Sequence, residues 1–240
     1  MKKAANKAAV GLVRDFGELE RLQVSRKGVG NYVTSADIRA EQKIIEELTK
    51  FSSDYSFLCE ESGYQNNENI KHRWVIDPID GTNNFRRGIP YFCVNIALTV
   101  DDIPVAGLTL DPVRGACYKA ALDMGAFVDG HNRLRVSSTS GLREAVIACH
   151  RVSQNRIQKL VDHFVIIRQM GSVALDLAYL GAGKYDVVIA EDVSWWDIAA
   201  GIVLVKESGG FIKYKSENGK YSVLATSSFK LMKEIALIKE

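Results

Sequence analysis

The stretch WVIDPIDGTNNF (74–85) decides how the rest of the chain is read. An apolar strand ends at Asp77, because Pro78 has no N–H to give to a ladder. Asp80 follows after one turn, Gly81 permits a sharp change of direction, and Thr82 is suited to cap what comes next. Two carboxylates, a hydroxyl and the Ile79 carbonyl are thereby pointed toward one place. Hard oxygen donors of this kind suit Mg²⁺, which favours near-octahedral oxygens at ~2.1 Å. A strand–turn–helix corner with Asp and Thr as simple caps fits the same residues, and this segment alone leaves both readings open.

Three other acidic places bear on the choice. Glu60 and Glu61 end a strand-like run, SFLC (56–59), just before Ser62-Gly63. Asp37 begins a helical segment after Val33-Thr34. Asp197 follows Trp195-Trp196 and opens the small-residue run Ile198-Ala199-Ala200-Gly201. Each has a plain alternative: helix-dipole carboxylates at Asp37 and Asp197, a solvated glutamate pair, a core tryptophan pair. Four acidic sites at element ends beside apolar segments are nevertheless the pattern a metal site leaves. Carboxylates converging to 4 Å without a cation repel by about 4 kcal/mol per pair at an effective dielectric of 20.

Spacing of apolar residues predicts helices over 4–24 and 36–51, separated by the Gly-containing segment 26–31. Strands follow at 56–59, 73–77, 91–100, 104–110 and 116–122, with Asp-Asp (101–102) and Asp-Gly (129–130) as turns. The second half alternates: strand 145–149, helix 155–164, strand 165–170, helix 171–183, strand 185–190, helix 195–210. Two strands around Asn218-Gly219 and a helix from Ser228 complete it. The expected class is α/β, an α+β layered fold of helices and mixed or antiparallel sheets. Its organisation reads as two closely packed halves, 1–138 with most of the acidic candidates and 139–240 with Asp197, and a site between them.

The chain has 240 residues, enough for a large core, and 31 basic against 29 acidic residues leave a net charge of +2. Bulk charge so near neutral gives no support for nucleic-acid binding. Cys59, Cys93, Cys117 and Cys149 lie far apart with no metal-type spacing and read as buried, reduced thiols of a cytoplasmic protein. The N-terminal lysines precede no apolar run of a secretory signal, and nothing approaches the ~20 apolar residues of a membrane span. A soluble protein is expected.

At this point the sequence resembles the inositol monophosphatase family, lithium-sensitive metal-dependent phosphatases that share the fructose-bisphosphatase fold. The resemblance rests on EES (60–62), DPIDGTNNF (77–85) and WDIAAG (196–201), in the family's order and spacing. VTSAD (33–37), DPVRGACYKA (111–120), GAFVDG (125–130) and GSVALDLA (171–178) extend it over nearly the whole chain. It implies hydrolysis of a small phosphomonoester by a phosphoric monoester hydrolase, with two Mg²⁺ as cofactors. Glu60, Asp77 and the Ile79 carbonyl would hold one, and Asp77, Asp80 and Asp197 the other. Thr82, oriented with Asp37, would position and help deprotonate the attacking water. A third, weaker Mg²⁺ near Glu60 would be assisted by the loop carrying Lys27. Backbone N–H groups of Gly81 and Thr82 would meet the phosphate, and Gly171, Ser172 and Val173 match the segment that touches substrate hydroxyls. Asp80 and Asp197 would also border the substrate. A homodimer is the implied assembly.

Departures from the family's pattern fall mainly on the substrate side. Cys59 replaces the usual Gly before Glu-Glu, Arg86-Arg87 replaces x-His, and Ala116 stands where Glu is frequent. The family carries a substrate-binding Glu seven residues before the Trp-Asp aspartate. Here that position is Ala190, and Glu191 takes the role only if one residue is deleted. Segment 137–168 is short. Expected substrates are myo-inositol monophosphate or a similar polyol or sugar phosphate. Within the same chemistry, 3′-phosphoadenosine 5′-phosphate, fructose bisphosphate and histidinol phosphate are alternatives. A partner role in transcription antitermination is an alternative of another class.

Overall fold

The computed structural model of the protein describes residues 1–22, 29–65, 69–139, 141–163 and 165–238. Two long helices, α1 (Lys2–Leu22) and α2 (Val29–Thr49), lie against each other and against the first sheet. Ala4, Ala5, Ala8, Leu12 and Phe16 of α1 and Ala36, Ala40, Ile44 and Leu48 of α2 are buried in one core with Ile76, Phe85, Phe92 and Ile96. These are i, i+4 positions on one helix face, so burial of a single stripe fixes both helices. α2 starts well before the expected position 36, running through Gly30.

Eight strands form the first sheet, in the order β2-β1-β3-β4-β5-β6-β7-β8: β1 (Tyr55–Cys59), β2 (Gly63–Gln65), β3 (Asn69–Asp80), β4 (Cys93–Val100), β5 (Ile103–Asp111), β6 (Ala116–Ala121), β7 (Gly125–Val128) and β8 (Asn132–Arg133). The turns at 101–102 and 129–130 lie where expected. Asp101, Asp102, Asp129 and Gly130 all have positive φ, as tight hairpin turns require. β3 does not stop at Pro78. Its ladder with β4 breaks after Asp77↔Asn95 and resumes at Asp80↔Cys93. The proline is accommodated in a bulge, which turns both aspartates to where a regular strand would not carry them.

The second sheet has the order β10-β9-β11-β13-β12, built from β9 (Val146–His150), β10 (Ile166–Arg168), β11 (Val187–Val193), β12 (Phe211–Glu217) and β13 (Lys220–Thr226). Between the sheets lie α5 (Val173–Gly181) and α6 (Trp195–Glu207), after the short α3 (Thr82–Arg87) and α4 (Gln154–Val161). α6 meets β3–β6 on one side and β12 and β13 on the other. α4 and α7 (Phe229–Leu237) cover the outer face, where Leu160, Leu231 and Ile235 pack on Ile147 and Ile189. The layers are helix, sheet, helix, sheet, helix, which agrees with the layered α/β class expected from the sequence. All four cysteines are free and buried. Among the described residues no helix is long and apolar enough to cross a membrane. The edges of both sheets are blunt: β2, β8 and β10 have three, two and three residues, and β12 carries exposed Lys213, Lys215 and Glu217.

Close approach sets how deeply α6 sits. A Cβ at Gly107 of β5 would stand 2.5 Å from the Ala200 carbonyl oxygen, and one at Gly201 would stand 2.4 Å from Leu177 of α5. Gly107→Ala is therefore expected to lower unfolding free energy by about 1–3 kcal/mol through overpacking. Gly17→Ala on α1, where nothing lies within 4 Å of the added carbon, should raise it by about 0.5–1 kcal/mol. Urea unfolding midpoints compare the two; equal shifts of one sign would show that helix propensity, and not the depth of α6, controls both positions.

Candidate active site

The bulge at Pro78 and the N-terminus of α6 bring Asp77, Asp80 and Asp197 together, with one ligand oxygen from each within 4.8 Å of the others. Asp77 and Asp80 are buried, and Asp197 is partly so. Each carboxylate is held differently. Asp80 Oδ2 accepts hydrogen bonds from Ser172 Oγ at 2.6 Å and Ala174 N–H at 2.7 Å. Asp197 Oδ2 accepts from Ser194 N–H at 2.7 Å. Asp77 Oδ1 is buried and has no hydrogen-bond partner among the described residues. At such separations like charges repel by about 3–4 kcal/mol per pair at an effective dielectric of 20.

The titration behaviour follows. Burial, then repulsion by Glu60, Asp80 and Asp197, holds Asp77 well above the usual carboxylate range. Asp80 is raised by burial and Asp197, against the opposing hydrogen bonds from Ser172 and Ala174. Asp197 is raised by burial, with Ser194 N–H, Lys220 and Arg151 working the other way. Glu60 stands at the rim and keeps exposed surface. Desolvation in the cleft and repulsion from Asp197, Glu61 and Glu41 push it to about 7. Asp37, buried on α2, is pushed to about 8 by desolvation and then by Glu61, Glu60 and Glu41, and among the described residues its Oδ1 has no partner. With the orphaned Asp77 Oδ1 beside the Asp80 and Asp197 carboxylates, the cluster is an all-oxygen donor set whose charge fits Mg²⁺.

The backbone explains the placement. Gly81 has φ +95°, and a Cβ there would lie 3.0 Å from the Tyr91 carbonyl oxygen, so glycine is required at the turn. Thr82 begins α3, and its Oγ1 donates to the Ile79 carbonyl at 2.9 Å. Asn84 Nδ2 donates to the carbonyls of Tyr91 and Met170, both at 2.7 Å, tying the turn to the start of α5.

Three contributors escaped the sequence reading. Glu41 is buried, and its two oxygens accept from Glu61 N–H at 2.9 Å and Ser62 N–H at 3.0 Å, which sets the turn carrying Glu60. It lies one helical turn after Asp37, and that spacing was the available signal. Asn95 accepts from Thr109 Oγ1 and donates to the Trp196 carbonyl at 2.7 Å, so the first sheet holds the start of α6. Its mark in the sequence is an amide side chain in a strand otherwise made of apolar residues and one threonine. Asp176 accepts from Tyr91 Oη at 2.7 Å inside the protein.

The substrate-side candidates do not all gather at the cluster. Gly171 is exposed, with φ +85°, whereas Ser172 and Val173 are buried. Ala190 packs with Val173 and Ile198 toward α5 and α6. Glu191 instead receives Arg156 Nη1 of α4 at 2.6 Å. Asp192, at φ 54° in the same β11 bulge, is bound by Arg151. Lys27 lies outside the described residues.

The inositol monophosphatase family model matches residues 1–236. An inositol-1-monophosphatase of Caulobacter vibrioides is 40% identical over 88% of this chain and 87% of its own length. A protein of Xylella fastidiosa named Nus factor SuhB is 37% identical over 88% of this chain and 79% of its own. The crystal structure of the extragenic suppressor protein suhB of Bartonella henselae superposes with a TM-score of 0.89 at 36% identity, covering 100% of this chain and 98% of that one.

Because Glu60 and Asp37 have raised folded-state values of about 7 and about 8, the folded protein binds more protons than the unfolded chain. Their contribution is complete below the ordinary carboxylate range and is lost as pH rises through those values. In chelator, Tm should therefore fall between pH 6 and 8.5, and Mg²⁺ should restore it more strongly at the higher pH while releasing protons. Calorimetric scans across that range check this; a flat profile in chelator would mean the carboxylates are not mutually strained.

Proposed function

Because the chain belongs to the inositol monophosphatase family, we propose that it is a Mg²⁺-dependent phosphomonoesterase acting on myo-inositol monophosphate or a similar polyol or sugar phosphate. The observation that carries this reading is the cluster of Asp77, Asp80 and Asp197 ligand oxygens within 4.8 Å of one another. Glu60, Asp77 and the Ile79 carbonyl would hold one cation and Asp77, Asp80 and Asp197 a second. Bound there, Mg²⁺ supplies Lewis acidity and a nucleophilic water at neutral pH. Thr82, whose Oγ1 donates to the Ile79 carbonyl, would position that water together with Asp37, the role the family resemblance implies for the pair. The N–H groups of Gly81 and Thr82 orient the phosphate, and Gly171 borders the alcohol. We further propose a cytoplasmic homodimer.

A second, compatible reading draws on relatives named Nus factor SuhB: a partner role in transcription through the protein surface. Retention of RNA polymerase or its elongation factors on the immobilised protein, unchanged by Asp77→Asn, would support it; absence of retention would remove it.

Excess chelator should abolish release of phosphate from polyol monophosphates, Mg²⁺ should restore it, and Li⁺ should inhibit. Asp77→Asn should abolish turnover, and Thr82→Ala should lower kcat by about a hundred- to ten-thousandfold. Full turnover in chelator, or near-normal kcat in Asp77→Asn, would overturn the mechanism.

Engagement of Glu191 by Arg156 predicts a small effect of Glu191→Gln, within about threefold in kcat/KM for hydroxyl-rich and aryl phosphates alike. A loss of about ten- to a hundredfold confined to hydroxyl-rich substrates, the size expected for a charged hydrogen bond, would return Glu191 to the substrate.

A further inference from the structure

We propose that Ser172 is a positioning residue for the metal centre, holding Asp80 in its ligand orientation from the N-terminus of α5, and that its hydroxyl does not contact substrate. The inference rests on the reading of the carboxylates as a Mg²⁺ site and deepens it.

Ser172 is fully buried, and its Oγ donates to Asp80 Oδ2 at 2.6 Å. A serine hydroxyl has one proton to give, and Asp80 takes it. The same oxygen accepts from Leu175 N–H at 3.4 Å, so it also caps α5. Cys93 Sγ lies 3.7 Å away; with the serine proton committed, the thiol is the donor. Cys93 stands opposite Asp80 in the β3–β4 register, so thiol, hydroxyl and carboxylate form one buried chain. Ala174 N–H adds a second donor to the same carboxylate oxygen at 2.7 Å. Two donors on Oδ2 hold the carboxylate against rotation. Each hydrogen bond to a charged acceptor contributes more than a neutral one.

A parallel tie distinguishes this role from general docking. Asn84 Nδ2 donates to the Met170 carbonyl at 2.7 Å, and a Cβ at Gly171 would stand 3.1 Å from that same nitrogen. The start of α5 is thus fastened to the 80–84 turn at two points, and of the two side chains only Ser172 ends on a carboxylate of the cluster.

The test is a calorimetric Mg²⁺ titration of the full chain without substrate, using wild type, Ser172→Ala, Ser172→Thr and Asn84→Ala, with KM measured separately at saturating Mg²⁺. Ser172→Ala should weaken Mg²⁺ binding by about ten- to a hundredfold, the range for a charged hydrogen bond, and leave KM for a polyol monophosphate within about twofold. Ser172→Thr should bind Mg²⁺ like wild type. Asn84→Ala should lower Tm while keeping Mg²⁺ affinity within about threefold. Unchanged Mg²⁺ affinity with a raised KM in Ser172→Ala would overturn the proposal, as would an equal loss of Mg²⁺ affinity in Asn84→Ala. Should Ser172→Ala fail to fold, Ser172→Cys keeps the volume with a weaker donor and should bind Mg²⁺ less tightly than wild type; equal binding would overturn the role. A wild type that binds no Mg²⁺ would overturn the phosphatase reading itself, whereas normal wild-type binding with insensitive Ser172 variants would overturn this inference alone.

Discussion

Three carboxylate oxygens within 4.8 Å of one another repel, and removing them from water raises the penalty further. A fold that keeps Asp77, Asp80 and Asp197 together without protons must supply both counter-charge and mechanical restraint. The restraint is visible throughout the core. The β3 bulge turns Asp77 and Asp80, the α5 N-terminus grips Asp80, and Asn95 on the first sheet holds the opening of α6 beside Asp197. Gly107 and Gly201 let α6 sink against β5 and α5. The architecture can be understood as a frame that resists one electrostatic strain.

That strain also explains the distribution of cations. Lys220 donates to Ser194 Oγ at 2.9 Å, beside the α6 N-terminus, and Arg151 is anchored on Asp192 at the end of β11. Both ease the charge on Asp197. Among the described residues the groups acting on Asp77 are carboxylates, and its orphaned Oδ1 is where an external cation has most to gain. Stability and metal affinity are two expressions of the same free energy in such a site.

The sequence made legible those parts of the fold that depend on local pattern. Asp-Pro-Ile-Asp-Gly-Thr marked the turn because Gly81 adopts a positive φ that other residues rarely take. The alternation after 145 marked the second sheet and its helices. What was not legible depends on register between distant segments. Nothing local announces that Glu41 will meet Ser62, or that Asn95 will reach Trp196. β3 ran past Pro78 because a bulge reconnects Asp80 with Cys93. Ser172 was legible as part of a family segment, but that its side chain faces Asp80 is a property of the assembled layers.

The blunt edges of the two sheets have a consequence for the chain before it is fully folded. In the second sheet β9 pairs with β11 and β11 with β13 across intervening helices, so these strands wait for each other during synthesis, and an exposed ladder at that stage is a template for another nascent chain. Strands of only two or three residues at β2, β8 and β10, and lysines along β12, offer a neighbouring molecule too few backbone groups or too much like charge to extend. Crowded production should therefore tolerate this protein better than its strand content suggests, and substitutions replacing Lys213 and Lys215 with β-branched apolar residues would act on yield before they act on the native state.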